Sequence, residues 1–231
     1  MIATEQGEYI RATGDTAKLI FTSSMDDSVD WNRPDVLLAG VSGVILGGSS
    51  EFDLHNEEEP EMRMVPARAI LARTQPFIRF LLEDDFPTLG ICFGHQLIGE
   101  TFGGQVASDN EQSKVGSFEI SLTEEGERDA LFSTLSHTFM GQYGHHNSLS
   151  ILPQNAVVLA TGERCKFSAL RYGNRIYTTQ FHPELTAQDV YWKLEHSPGY
   201  LPEGDSLGEI IQPSPEASTL IPKWSELVAS R

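Results

Sequence analysis

Apolar positions along the chain fall into short runs and helical spacings that alternate. Residues 17–22 and 43–46 are apolar or β-branched runs bounded by polar residues and glycine, and they read as strands. From 60 to 83 apolar residues recur at helical spacing. This predicts one long helix or two, with a kink or break expected at Pro66 and Pro76 because proline has no amide proton. An apolar run at 86–89 leads to a helix over 93–102 that stops at Gly103-Gly104. Further on strands dominate, at 118–122, 139–143, 156–161, 169–172 and 176–181. Strands alternating with helices, followed by a run of strands, predict an α/β fold: a mostly parallel open sheet with helices on both faces and an antiparallel extension. Nothing repeats internally, so residues 1–231 read as a single domain. Residues 197–218 are rich in Pro, Gly and Glu and read as an extended loop, and the apolar stretch 220–228 is expected to dock as a helix. Residues 197–231 are thus a C-terminal extension.

Chemistry enters at Cys92. It follows an apolar run, precedes a helix, and has Gly90 and Gly94 two residues to either side. A tight strand-to-helix bend needs small flanking residues, and it holds a nucleophile at a helix N-terminus, where the positive end of the macrodipole favours the thiolate. An isolated cysteine is more often a small buried hydrophobe. The flanking glycines reverse that preference, and a second segment strengthens the reversal: the β-rich run 177–181 ends in His182-Pro183-Glu184. A strand that delivers His182 and, two residues on, Glu184 to one sheet edge supplies a base and the carboxylate that orients it. The order Cys, His, Glu, with the last two almost adjacent, argues against an α/β-hydrolase, in which the acid separates the nucleophile from a distant histidine. A strand opening into Gly47-Gly48 is by itself an ordinary turn.

Gly90-x-Cys92-x-Gly94-x-Gln96 together with Phe181-His182-Pro183-Glu184 resembles a class I (triad) glutamine amidotransferase, and is similar to stand-alone proteins like the glutaminase domain of GMP synthase, over residues 36–195. The resemblance implies that Cys92 attacks the side-chain amide of glutamine, that His182 protonates the departing ammonia and then activates water, and that Glu184 fixes the imidazole. Glutamate and ammonia would be the products of a Cys thioester pathway. It also implies an oxyanion hole of backbone N–H groups at Gly48 and Phe93. Glutamine contacts are implied at Gly47, Gln96, Gly116, Ser117, Phe118 and His146. No cofactor is implied. His145 and His146 lack a third ligand at zinc-like spacing and Cys165 stands alone, so no metal site is expected.

Sixteen Lys and Arg against 33 Asp and Glu give a formal charge of −17, which repels phosphate backbones and makes nucleic acid an unlikely partner. Two cysteines leave no disulfide framework, and neither a membrane span nor a secretory leader is visible, so a cytoplasmic location is expected. Without a Walker-type phosphate loop or a second domain, ammonia would pass to a separate synthetase subunit. Two alternatives stand beside this reading: a stand-alone γ-glutamyl hydrolase or peptidase using the same residues, and a non-catalytic regulatory or interaction protein. One departure stands out. Members of the resembled family open with an apolar strand inside the sheet, whereas residues 1–11 read as a polar lead into a helix. Either the strand lies upstream of Met1 or this side of the sheet is rebuilt, and an unpaired central position would lower stability.

Overall fold

The computed structural model of the protein describes residues 2–108, 112–196 and 207–230. In chain order the elements are α1 (Ile2–Thr13), the single turn α2 (Pro34–Leu37), β1 (Val44–Leu46), α3 (Val65–Glu83), β2 (Thr88–Ile91), α4 (Phe93–Thr101), β3 (Gln105–Ser108), β4 (Lys114–Leu122), α5 (Glu124–Arg128), β5 (Thr138–His145), β6 (Asn147–Ile151), β7 (Val157–Gly162), β8 (Cys165–Tyr172), β9 (Ile176–Thr179), α6 (Ala187–His196), α7 (Leu207–Ile210) and α8 (Leu220–Ala229).

Seven strands form one sheet in the order β1-β2-β9-β8-β7-β4-β5, while β3 and β6 pair as a separate antiparallel hairpin. β1, β2 and β9 run parallel, and from β9 outward every pairing is antiparallel. The predicted α/β plan with its antiparallel extension stands, and in this chain the parallel part is the three strands β1, β2 and β9. All residues of β2 and β9 are buried, as expected where both faces of a sheet are covered. Leu89, Ile91 and Tyr177 face a layer that includes Tyr9 and Ala12 of α1 and Leu220, Ile221 and Trp224 of α8. The opposite face packs Ala67, Ile70, Leu71 and Ile78 of α3 and Phe93, Leu97 and Ile98 of α4.

Some expectations are corrected. Residues 17–22 form no strand: Ile20 and Phe21 are exposed, and among the described residues β1 pairs only with β2, so this segment has no partner for its backbone. The region opens instead with helix α1, in keeping with the polar lead read from residues 1–11. β1 is thereby left at the sheet's margin, where Trp31, Val29, Leu37 and Leu38 pack with Val44, Phe77, Leu81 and Phe86. The 60–83 region does not break at its prolines. A wide turn over Pro60–Met64 leads into α3, Pro66 occupies the first turn where no intrahelical amide is needed, and Pro76 is carried inside a continuous helix. An interior proline disfavours a helix by about 3 kcal/mol. Here the buried stripe Ala67, Ile70, Leu71, Thr74, Phe77, Ile78 and Leu81 offsets that term, at the i, i+3, i+4 spacing of one helical face. The expected C-terminal helix is α8. Within the predicted loop, residues 197–206 lie outside the described residues, and 207–218 contain the short helix α7 and the start of a 3₁₀ turn at Ala217–Thr219.

Candidate active site

The register of the parallel strands assembles the site. Leu46 lies opposite Gly90, and Ile91 opposite Thr179. The residues that follow each strand therefore emerge side by side: Gly47-Gly48 after β1, Cys92 after β2, and Gln180 to Glu184 after β9. The carboxyl edge of parallel strands is where α/β proteins commonly build ligand sites.

Cys92 occupies the N-cap of α4 with φ 52° and ψ −99°, a conformation that a non-glycine residue adopts only when its surroundings impose it. Three backbone bonds hold it. The Cys92 amide donates to Thr179 O at 2.8 Å, the Gly94 amide to Gly47 O at 3.1 Å, and the Gln96 amide to Cys92 O at 3.1 Å. Gly94 is required because a Cβ there would lie 2.1 Å from Leu46 O, which is backbone and cannot swing aside. Phe93 is the first helical residue, so its amide has no intrahelical acceptor.

The His182 amide donates to Gln142 O at 2.8 Å, fixing the segment after β9 to β5. The imidazole Nδ1 donates to Glu184 Oε1 at 2.6 Å, with both side chains largely buried. The ring lies beside Cys92, both groups bordering Gly48. Burial alone would lower the imidazole pKa. Glu184 and then Cys92 outweigh it and hold His182 well above its ordinary value. Gly48 forms the wall between the two groups: a Cβ at that position would lie 3.0 Å from His182 Cε1 and 3.5 Å from Cys92 Cβ. The three residues singled out from the sequence are thus brought side by side, with Cys92 and His182 both against Gly48 and Glu184 bonded to His182. A thiol, an imidazole beside it and a carboxylate bonded to the imidazole can carry out nucleophilic attack with proton return.

The cleft beside Cys92 is bordered by Ser49, Phe52 and Asp53, by Phe93 and Gln96, and by residues 144–147. Gln96 and His146 border this cleft. The Gln96 amide nitrogen is already engaged, donating to Asn147 O at 2.7 Å and Gln180 Oε1 at 3.3 Å. His145 lies against the same cleft with Nδ1 3.0 Å from Asn147 O, and burial pushes its pKa down to about 3. His95 of α4 is likewise buried and pushed down to about 3, with Nδ1 2.8 Å from Thr178 Oγ1. Among the described residues no three His, Cys, Asp or Glu side chains gather as a metal set.

Other expected contacts are placed differently. Gly47 supports the Cys92 turn through its carbonyl. Gly116 and Ser117 are taken up by the C-terminal segment: a Cβ on Gly116 would lie 2.6 Å from Ile210 O, and Ser117 Oγ donates to Gln212 O at 2.9 Å and receives the Gln212 amide at 2.7 Å. Phe118 packs edge-on against Tyr143 under the Lys114 ammonium. None of the three borders the cleft described above, and residues 210–214 return across β4 and β5 against Gly116 and Ser117.

Two residues were not identified as site residues from the sequence. Gln180, fully buried, donates from Nε2 to Cys92 Sγ at 3.6 Å. Its position two residues before His182 on the same strand exit is the signal that could have found it. Tyr9 of α1 reaches the Gly47-Gly48 turn, where its hydroxyl accepts the Gly48 amide at 3.4 Å. No motif marks it.

Residues 65–190, more than half of the chain, match the family described as glutamine amidotransferase class-I, and the chain belongs to that family. It is 33% identical over 146 residues to a subunit of the glutamine-hydrolyzing GMP synthase of Methanosphaera stadtmanae, covering 63% of this chain and 76% of that one. It is 34% identical over 146 residues to the glutamine-hydrolyzing GMP synthase of Borreliella burgdorferi, where the match spans 63% of this chain but 25% of the longer protein. The fold is shared with a glutamine amidotransferase of Thermotoga maritima at a TM-score of 0.65 and 19% identity, over 84% of this chain and 80% of that one. No helix among the described residues is long and apolar enough to cross a membrane.

Proposed function

We propose that the protein hydrolyses the side-chain amide of glutamine through a Cys92 thioester and passes the ammonia to a separate synthetase subunit. The observation that carries this reading is the convergence of Cys92, His182 and Glu184, with Cys92 and His182 both against Gly48 and the His182 to Glu184 contact at 2.6 Å. The Cys92 sulfur forms a bond to the amide carbon as the carbonyl π pair moves onto oxygen. On collapse the C–N bond breaks and His182 supplies the proton that lets nitrogen leave as ammonia. The imidazole, now neutral, takes a proton from water as its oxygen attacks the thioester, and glutamate departs with the Cys92 sulfur as leaving group. Glu184 keeps Nδ1 protonated and stabilises the imidazolium without taking the proton. Similarity to a protein named as one subunit of a GMP synthase supports a partner that uses the ammonia.

The test is incubation with a glutamine-mimicking diazo ketone, with the adduct located by mass spectrometry and glutamate release followed in parallel. Labelling of Cys92 that glutamine suppresses is the expected result. Labelling that glutamine does not suppress would move the assignment to a different γ-glutamyl substrate, and an unlabelled protein would end the catalytic reading.

A further inference from the structure

The Gly48 amide, implied by the family resemblance to be an oxyanion donor, is directed at a side chain from outside the family-matched segment. Tyr9 Oη accepts that amide at 3.4 Å and lies 3.0 Å from where a Cβ on Gly47 would stand. Helix α1 is held in place at this spot by charged contacts. Arg11 pairs with Asp189 at 2.6 Å and donates to the Glu184 carbonyl at 3.5 Å, and the buried Glu8 pairs with Lys193 at 3.1 Å. On its inner face Tyr9 and Ala12 join the layer formed by α8 and the parallel strands. The phenol is therefore docked against the turn that walls Cys92 and His182.

A phenol whose oxygen accepts an N–H still has its own proton to give. We infer that Tyr9 is a catalytic residue of this site, its O–H donating to the tetrahedral oxyanion in place of the Gly48 amide, which acts through it. The donor set for the developing charge is then the Phe93 amide and the Tyr9 hydroxyl, with the chain Gly48 N–H to Tyr9 Oη–H to oxyanion polarised in one direction. No proton is transferred in this step. The S–C bond forms, the π pair moves to oxygen, Tyr9 and Phe93 hold the charge by hydrogen bonds, and the pair returns as the C–N bond breaks. Burial, and next the Glu184 charge, keep the phenol well above its ordinary pKa, so it stays a neutral donor at the pH of turnover. The inference rests on the glutamine-hydrolysing reading above and adds a donor that residues 65–190 do not contain.

Tyr9→Phe in the full chain keeps the ring and removes the proton. Loss of one oxyanion-hole donor lowers kcat by about 10²- to 10³-fold. The expected result is a fall in kcat of about that size, with KM for glutamine within about threefold of wild type and an unchanged melting temperature. Tyr9→Leu provides a second variant: loss no greater than that of Tyr9→Phe assigns the effect to the hydroxyl and not to packing. Inhibition by glutamate γ-semialdehyde, whose thiohemiacetal oxygen takes the oxyanion's place, should weaken at least about tenfold in Tyr9→Phe while glutamate binding holds. A Tyr9→Phe enzyme as fast as wild type, or faster, overturns the inference and leaves the glutamine reading intact. A wild-type protein that neither hydrolyses glutamine nor reacts at Cys92 overturns both.

Discussion

Burying His95 and His145 behind the nucleophile makes stability fall with acid in a window where carboxylates titrate little. Both imidazoles have ordinary values of 6.5 and are pushed to about 3 by burial, and the Nε2 of each has no hydrogen-bond partner among the described residues. A base whose folded pKa is depressed stays neutral in the fold while the unfolded chain binds a proton, so stability rises with pH between the two values and is lost as pH falls below 6.5. At about 1.36 kcal/mol per unit, lowering the pH from 6.5 to 5.0 removes about 1.6 kcal/mol for each histidine, and roughly 3 kcal/mol for the pair. That is a large part of the 5 to 15 kcal/mol or so typical of a domain. His182 does not add to the slope in the same sense. Its pKa is raised, so its contribution is nearly complete below 6.5 and is lost only as pH rises through the folded value. The assay is urea unfolding at pH 6.5, 6.0, 5.5 and 5.0 for wild type and for His95→Asn, which keeps a donor near Thr178 Oγ1 but does not titrate. Whatever offset the substitution introduces, its curve should lose about 1.6 kcal/mol less across the series than wild type does. Parallel curves would refute the reasoning, since they would mean that His95 takes up its proton in the folded protein as readily as in the unfolded one.

Replacing Glu184 by Gln removes the charge that holds His182 in its protonated tautomer. It should cut kcat by about 10² to 10⁴ and move the alkaline limb of the rate profile to lower pH, as followed by glutamate release. Gly94→Ala puts a methyl group 2.1 Å from Leu46 O, so β1 and the Cys92 turn must separate. A melting temperature lower by several degrees, together with loss of diazo-ketone labelling, is expected, and a variant that labels and melts like wild type would contradict the packing described.

What was legible in the sequence was what local sterics decide. Gly90, Gly94 and the strand-to-helix bend at Cys92 announce themselves because no other residue fits them, and His182 and Glu184 are two positions apart. Tyr9 was not legible, since its place depends on α1 docking against α8 and α6, contacts that span most of the chain. Gly116, Ser117 and Phe118 follow from the resemblance alone, and no local pattern signals the return of residues 210–214 over β4 and β5 that packs on Gly116 and Ser117. β3 and β6 carry no clear sequence signal because they are short, polar strands with a single large apolar residue buried on each, Val106 and Leu149. The helix at 60–83 was expected to break because proline propensity acts locally, whereas its buried stripe acts through the tertiary fold.

Three adjacent parallel strands bring the candidate groups together. β1, β2 and β9 end at matched registers, so the wall at Gly48, the sulfur and the imidazole follow from strand pairing rather than from loop geometry. Among the described residues no strand pairs with the outer edge of β1. With no strand there among the described residues, the remaining need on that side is to cover the layer beneath β1 and β2, and α1 does so with Tyr9 and Ala12. Covering a sheet whose carboxyl edge is already a site brings a side chain to that edge. The hydroxyl of Tyr9 on the Gly48 amide is the consequence, and it joins α1 to the turn beside Cys92.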